Sequence, residues 1–254
     1  METAEGTLRL MVVGAHAFDA EAMAGGLAAR AAEEGGAVLL VHLTRGERGD
    51  PTKPPEQYAV QLEGEMQQAA GILRARAHWP GHVAGELPME DVIAELGRLL
   101  REFEPHVVVT HWRGSWHPRH VAAHRVTLEA VQHAGRAGGA GPDQAPAVYF
   151  GENCEDLAGF VPTLYVDIST VFSRWLEALR CYELFRRSEP LESYASAIPY
   201  AGFYPAMARV RGLEAGCTYA QAFMPARTTA PAGHPMCIAP GEMRTGFRSV
   251  SGTG

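Results

Sequence analysis

Apolar and polar positions fall into blocks that fit alternating strands and helices. Leu8 to Val13 is a continuous apolar run, and a second run, Ala37 to Leu43, follows the Gly35-Gly36 pair. Short apolar runs bounded by glycine read as buried strands. Between them, residues 19–34 open with Asp19, Ala20 and Glu21, where negative charge suits a helix N-terminus. The pattern predicts further helices over 56–74, Met89 to Phe103, from the His117–His120 region to about Arg136, over 169–187, and up to about Glu214. It predicts strands near 75–78, His106 to Thr110, Val148 to Phe150, Leu164 to Ile168 and Tyr219 to Phe223. Such alternation implies an α/β, Rossmann-like fold: a mostly parallel sheet with helices on both faces.

Composition narrows the class. With 254 residues, 46% of them hydrophobic, the chain can bury the core of one large domain, expected over 1–225. Residues 226–254 read as a Pro/Gly-rich tail, 137–146 as a linker, and the Pro/Ser/Tyr-rich stretch before Tyr200 as a lid. A formal net charge of -7 argues against nucleic acid, and no apolar run is long enough to span a membrane. The early sequence lacks the basic flank of a signal peptide. Cys154, Cys181, Cys217 and Cys237 form no CxxC pair and read as reduced thiols of a cytoplasmic protein. The expected partner is a small molecule.

The candidate chemistry sits at predicted strand ends. His16 and Asp19 follow the first strand, where open α/β sheets usually bind ligands. Taken alone, Asp19 serves equally well as a helix N-cap. The fourth strand is followed by His111-Trp112-Arg113-Gly114-Ser115-Trp116-His117-Pro118-Arg119-His120. If the sheet has the order 3-2-1-4-5, strands one and four are neighbours and these two loops converge. Two imidazoles and a carboxylate with an open fourth position form the ligand set of a catalytic zinc, one ion per chain, and also suit iron or other divalent ions. Thr44 to Asp50, with Arg45 and Glu47, reads either as a substrate-holding loop at the same crevice or as a solvated turn. Gly151-Glu152-Asn153 has the same two readings. No GxGxxG follows the first strand, which argues against a nicotinamide enzyme.

Taken together, these motifs resemble the PIG-L/LmbE-like de-N-acetylase superfamily of zinc hydrolases, over most of residues 8–225. Ala15-His16-Ala17-Phe18-Asp19-Ala20-Glu21 aligns with A-H-P-D-D-A-E, Thr44 to Gly49 with T-x-G-E-x-G, and His117-Pro118-Arg119-His120 with H-P-D-H. Val166-Asp167-Ile168, Arg211 to Gly216, and Tyr219 to Phe223 echo later signatures. The resemblance implies zinc held by His16, Asp19 and His120, with His117 stabilising an oxyanion or protonating the leaving amine. It also implies that homo-oligomers are common. Three acids of the family pattern are replaced: Phe18 stands at the general base, Arg119 between the two histidines, and Gln221 in Y-A-E-A-F. Phe18 cannot accept a proton, so Glu21, Glu47, Glu152 or His117 would have to carry it. Arg119 would either pair with an anionic substrate or repel a proton from His117. The expected activity is cleavage of an amide or similar C–N bond. The alternative is a metal- and ligand-binding protein with altered or abandoned catalysis.

Overall fold

The computed structural model describes residues 7–50, 52–83, 87–137, 145–187 and 199–226. The first half alternates strand and helix: β1 (Arg9–Gly14), α1 (Asp19–Glu33), β2 (Ala37–His42), α2 (Pro55–Leu73), β3 (Arg76–His78), α3 (Met89–Phe103), β4 (Val107–His111) and α4 (Pro118–Ala137). The second half adds β5 (Ala147–Gly151), β6 (Leu164–Asp167), α5 (Phe172–Arg180), α6 (Glu183–Arg186), α7 (Tyr200–Ala215) and β7 (Ala220–Pro225). The seven strands among the described residues form one sheet in the order β3-β2-β1-β4-β5-β7-β6. The first five are parallel, and β7 runs antiparallel to both β5 and β6. The expected order 3-2-1-4-5 is therefore present, extended by an antiparallel edge.

Strand alternation divides the core into two layers. Leu10, Val12, Leu40 and Val109 face one layer with Met23 and Leu27 of α1, Met66 of α2, and Trp175 of α5. Met11, Val13, Leu39 and Val108 face the other, covered by Leu96 and Leu100 of α3 and Val126 of α4. Helices thus shield both faces, which a parallel sheet with nearly continuous apolar strands requires.

One predicted helix is wrong. Residues 169–187 do not form a single helix but split into α5 and α6. Tyr182 leaves the helical region (φ -82°, ψ 126°), and its buried hydroxyl donates to Glu21 Oε1 at 2.8 Å. Glu183 N then donates to Glu65 Oε1 at 3.0 Å, and the chain restarts as a short helix. The apolar spacing of Phe172, Leu176, Leu179 and Leu184 continues across the break, so periodicity alone conceals it.

Gln221, the second residue of β7, has a structural task in bracing α1. Its Oε1 accepts from Leu27 N at 2.9 Å and its Nε2 donates to Ala22 O at 3.2 Å, within α1. A Cβ on the adjacent Gly26 would lie 2.9 Å from Gln221 Oε1, so that glycine makes room for the amide. An ionised carboxylate can accept from Leu27 but has nothing to donate to Ala22. Glutamine meets both demands.

The tail after residue 226, Cys237, and most of the predicted linker and lid lie outside the described residues. Cys154, Cys181 and Cys217 are free thiols. Among the described residues, no helix is long and apolar enough to cross a membrane.

Candidate metal centre

Strands β1 and β4 are hydrogen-bonded neighbours, and the loops that follow them meet above the sheet. The β1 loop turns sharply: a Cβ at Gly14 would lie 2.9 Å from Ala20 N and from Asp19 Cβ. Phe18 completes the turn at φ +83°, a conformation that non-glycine residues rarely adopt. The turn folds Asp19 back on the loop, so Oδ2 accepts from His16 N at 2.8 Å and lies 3.2 Å from His16 Nδ1. From the other loop, His120 Nε2 lies 3.5 Å from the same oxygen. His117 stacks on His120 with ring centroids 4.6 Å apart and meets His16 edge-on at 4.9 Å. The ligand atoms of His16, His117 and His120 lie within 4.8 Å of one another, as do those of Asp19, His111 and His120.

The structure adds three residues that the sequence analysis did not single out. Asp156, fully buried, has Oδ1 at 2.8 Å from His120 Nδ1 and Oδ2 at 2.6 Å from His111 Nδ1. It bridges the two imidazoles and turns His120 Nε2 toward Asp19. His111 Nε2 accepts Ala15 N–H at 3.0 Å, which occupies that lone pair. His111 is therefore a brace for the β1 loop rather than a free ligand. Glu155 Oε2 lies 3.3 Å from His120 Nε2 and faces the same space. The loop carrying these acids is stitched to the β4 loop by Trp116 N–H to Glu155 O, Ala158 N–H to Gly114 O, and the Trp112 indole to Ala158 O. A usable signal existed: an acidic pair just past β5, the strand beside β4.

Electrostatics follow from this packing. Burial opposes charge on Asp19, but His120, His111 and His16 outweigh it and hold the carboxyl well below its ordinary range. Asp156 is likewise lowered to about 2, burial being overcome by His111 and His120. Burial pushes Glu155 up to about 7, helped by the charges of Asp19 and Asp156. His117 is lowered to about 4 by burial and then by His120 and His16, so it is neutral at pH 7. Arg119 N–H donates to His117 Nδ1 at 3.3 Å, which places the ring proton on Nε2.

Around this group runs a cleft of about 420 Å³ that brings together His16, Asp19, Arg45, His117, Arg119 and His120. Arg45 stacks over Trp79 at 3.6 Å and pairs with Glu63 at 3.3 Å. Glu47 is buried and is not among the residues lining the cleft. Glu21 is also buried, held by Tyr182 and 3.4 Å from His42 Nε2. Glu152 is bound by Arg211, and with Asn153 it is buried rather than exposed as a turn. None of these three acids lines the cleft; Glu155 does. Phe18 closes one wall, its ring centroid 5.2 Å from Tyr200, 5.4 Å from Tyr182 and 5.7 Å from Tyr204.

Residues 11–131, which contain both His motifs, match the family model described as PIG-L, GlcNAc-PI de-N-acetylase. Over that stretch the chain is similar to the PIG-L family. Two curated proteins are similar over part of its length. A 1D-myo-inositol 2-acetamido-2-deoxy-α-D-glucopyranoside deacetylase of Catenulispora acidiphila is 32% identical over 166 residues, covering 52% of this chain and 47% of that protein. A mycothiol S-conjugate amidase of Streptomyces coelicolor is 33% identical over 154 residues, covering 50% of this chain and 53% of that protein. The chain spans about half the length of these curated relatives. Among solved structures, the 4-carboxy-2-hydroxymuconate hydratase GalB of Pseudomonas putida superimposes with a TM-score of 0.72 and 23% identity, over 88% of this chain and 98% of that one. At that identity the likeness concerns the fold, and it shows that this fold also occurs in a hydratase.

Proposed function

We propose that this chain is a zinc-dependent hydrolase that cleaves an N-acyl amide or similar C–N bond in a small molecule. The observation that carries the reading is the convergence of His16, Asp19 and His120, with the Asp156 carboxylate behind His120. A carboxylate that fixes the far nitrogen of a histidine is the usual support of a metal-ligating imidazole. The donors fit a divalent ion that His16, Asp19 and His120 would hold, because Asp19 Oδ2 lies 3.2 Å from His16 Nδ1 and 3.5 Å from His120 Nε2. Zinc, when bound, supplies a Lewis acid that polarises an amide carbonyl and acidifies water.

The chain's own groups supply the rest. His117 Nε2–H donates to the carbonyl oxygen as it gains negative charge, the task of an oxyanion donor. Glu155 Oε2 takes the proton of the attacking water and passes it to the leaving nitrogen, in place of the acid that Phe18 cannot provide. Phe18 instead keeps water from one side of the reacting group. Arg45 and Arg119 hold the substrate at the mouth. Glu47 acts behind that loop, because its buried carboxylate is not among the cleft-lining groups.

The test uses N-acylated amino sugars and N-acyl amino acids, offered to chelator-treated and to zinc-reconstituted protein. Free amine is expected only from the reconstituted sample and should disappear again on chelation. Release that is indifferent to chelation, or none from fully zinc-loaded protein, contradicts the proposal. The second outcome favours the alternative, a metal- and ligand-binding protein without turnover, which the hydrocarbon at position 18 supports.

A further inference from the structure

The two acids replaced by Phe18 and Arg119 change the cleft in opposite directions at once. Phe18 brings a ring where the family pattern has a carboxylate, packed on Tyr200, and Tyr58, Leu62 and Leu184 also line the cleft. The same cleft is lined by three arginines, Arg45, Arg48 and Arg119, in a chain whose formal net charge is -7. Asp19 and Glu155 are the carboxylates that line the same cleft, and both point at the histidines. Arg45 is tied to Glu63 and Trp79. Arg48 and Arg119 have no carboxylate partner among the described residues.

A neutral polyol fits such a cleft poorly. Hydroxyls set against the Phe18 ring would lose water without gaining a partner there. Guanidinium groups beside a metal site match planar anions, which they bind through paired N–H donors. We infer that the substrate is an amide carrying a free carboxylate and an apolar group of about phenyl size, in the manner of an N-acyl amino acid. The carboxylate meets Arg119 and Arg48, and the apolar group lies along Phe18 and Tyr200. This deepens the hydrolase proposal, from which it takes only the amide.

Calorimetric titration of the zinc-loaded protein with N-benzoylglycine, its methyl ester and N-acetylglucosamine tests the inference without requiring turnover. The acid is expected to bind at least about tenfold more tightly than either neutral compound. Arg119→Gln should weaken the acid by about tenfold and leave the ester unchanged, and Arg48→Gln should act in the same direction. Equal binding of acid and ester, preference for the sugar, or no binding of the acid overturns it. So does an Arg119→Gln variant that weakens acid and ester alike. Arginine-dependent binding without amine release supports this inference and contradicts the hydrolase proposal. Hydrolysis of the sugar with no preference for the acid does the reverse.

Discussion

Asp156→Ala is expected to destabilise the protein by about 3–5 kcal/mol and to weaken metal binding by about 10–100-fold. The carboxylate is buried and holds two imidazoles at once, His111 at 2.6 Å and His120 at 2.8 Å. Removing it leaves two buried N–H groups without an acceptor, and it frees His120 to turn away from Asp19. It also loosens His111, which holds the β1 loop through Ala15. Asp156→Asn should lose less, because its remaining oxygen can satisfy one of the two rings. Urea unfolding of the metal-free variants, followed by zinc titration, separates the two effects. A change below about 0.5 kcal/mol, the level of an ordinary surface substitution, would mean that Asp156 does not organise the site.

Glu155→Gln is expected to lower kcat by about 10²–10⁴-fold while the protein keeps its zinc. The fold should tolerate it, since the backbone N–H of Glu155 stays bound to Asn153 Oδ1. Glutamine preserves size but cannot take up a proton. Because Glu155 Oε2 lies 3.3 Å from His120 Nε2, metal content must be measured beside rate. Full zinc with lost turnover identifies a proton carrier, and lost zinc identifies a fourth ligand. Unchanged turnover would remove Glu155 from the mechanism.

The contrast between Asp156 and His16 explains what could be read from the chain. His16 and Asp19 are three residues apart at a strand end, and His117 and His120 repeat that spacing after β4. Strand periodicity and common sheet order were enough to bring the two pairs together. Asp156 is 36 residues from His120 and 45 from His111, so no local spacing links it to them. It needed the β5 loop to be placed beside β4. Gln221 misleads for the opposite reason. The motif makes it look like a lost catalytic acid, while the fold sends it 194 residues back along the chain to brace Leu27. The false continuous helix over 169–187 has a similar origin. Tyr182 breaks it to reach Glu21, 161 residues away. Local pattern predicts elements well when burial alone shapes them, and fails where one polar atom must meet a distant partner.

Metal content by elemental analysis, on untagged wild-type protein and on His120→Ala, tests the proposed centre most directly. About one zinc per chain in the wild type, lost in the variant, is the expected result. Absence of metal from both after zinc is added back, or equal metal in both, would contradict a site built on His16, Asp19 and His120.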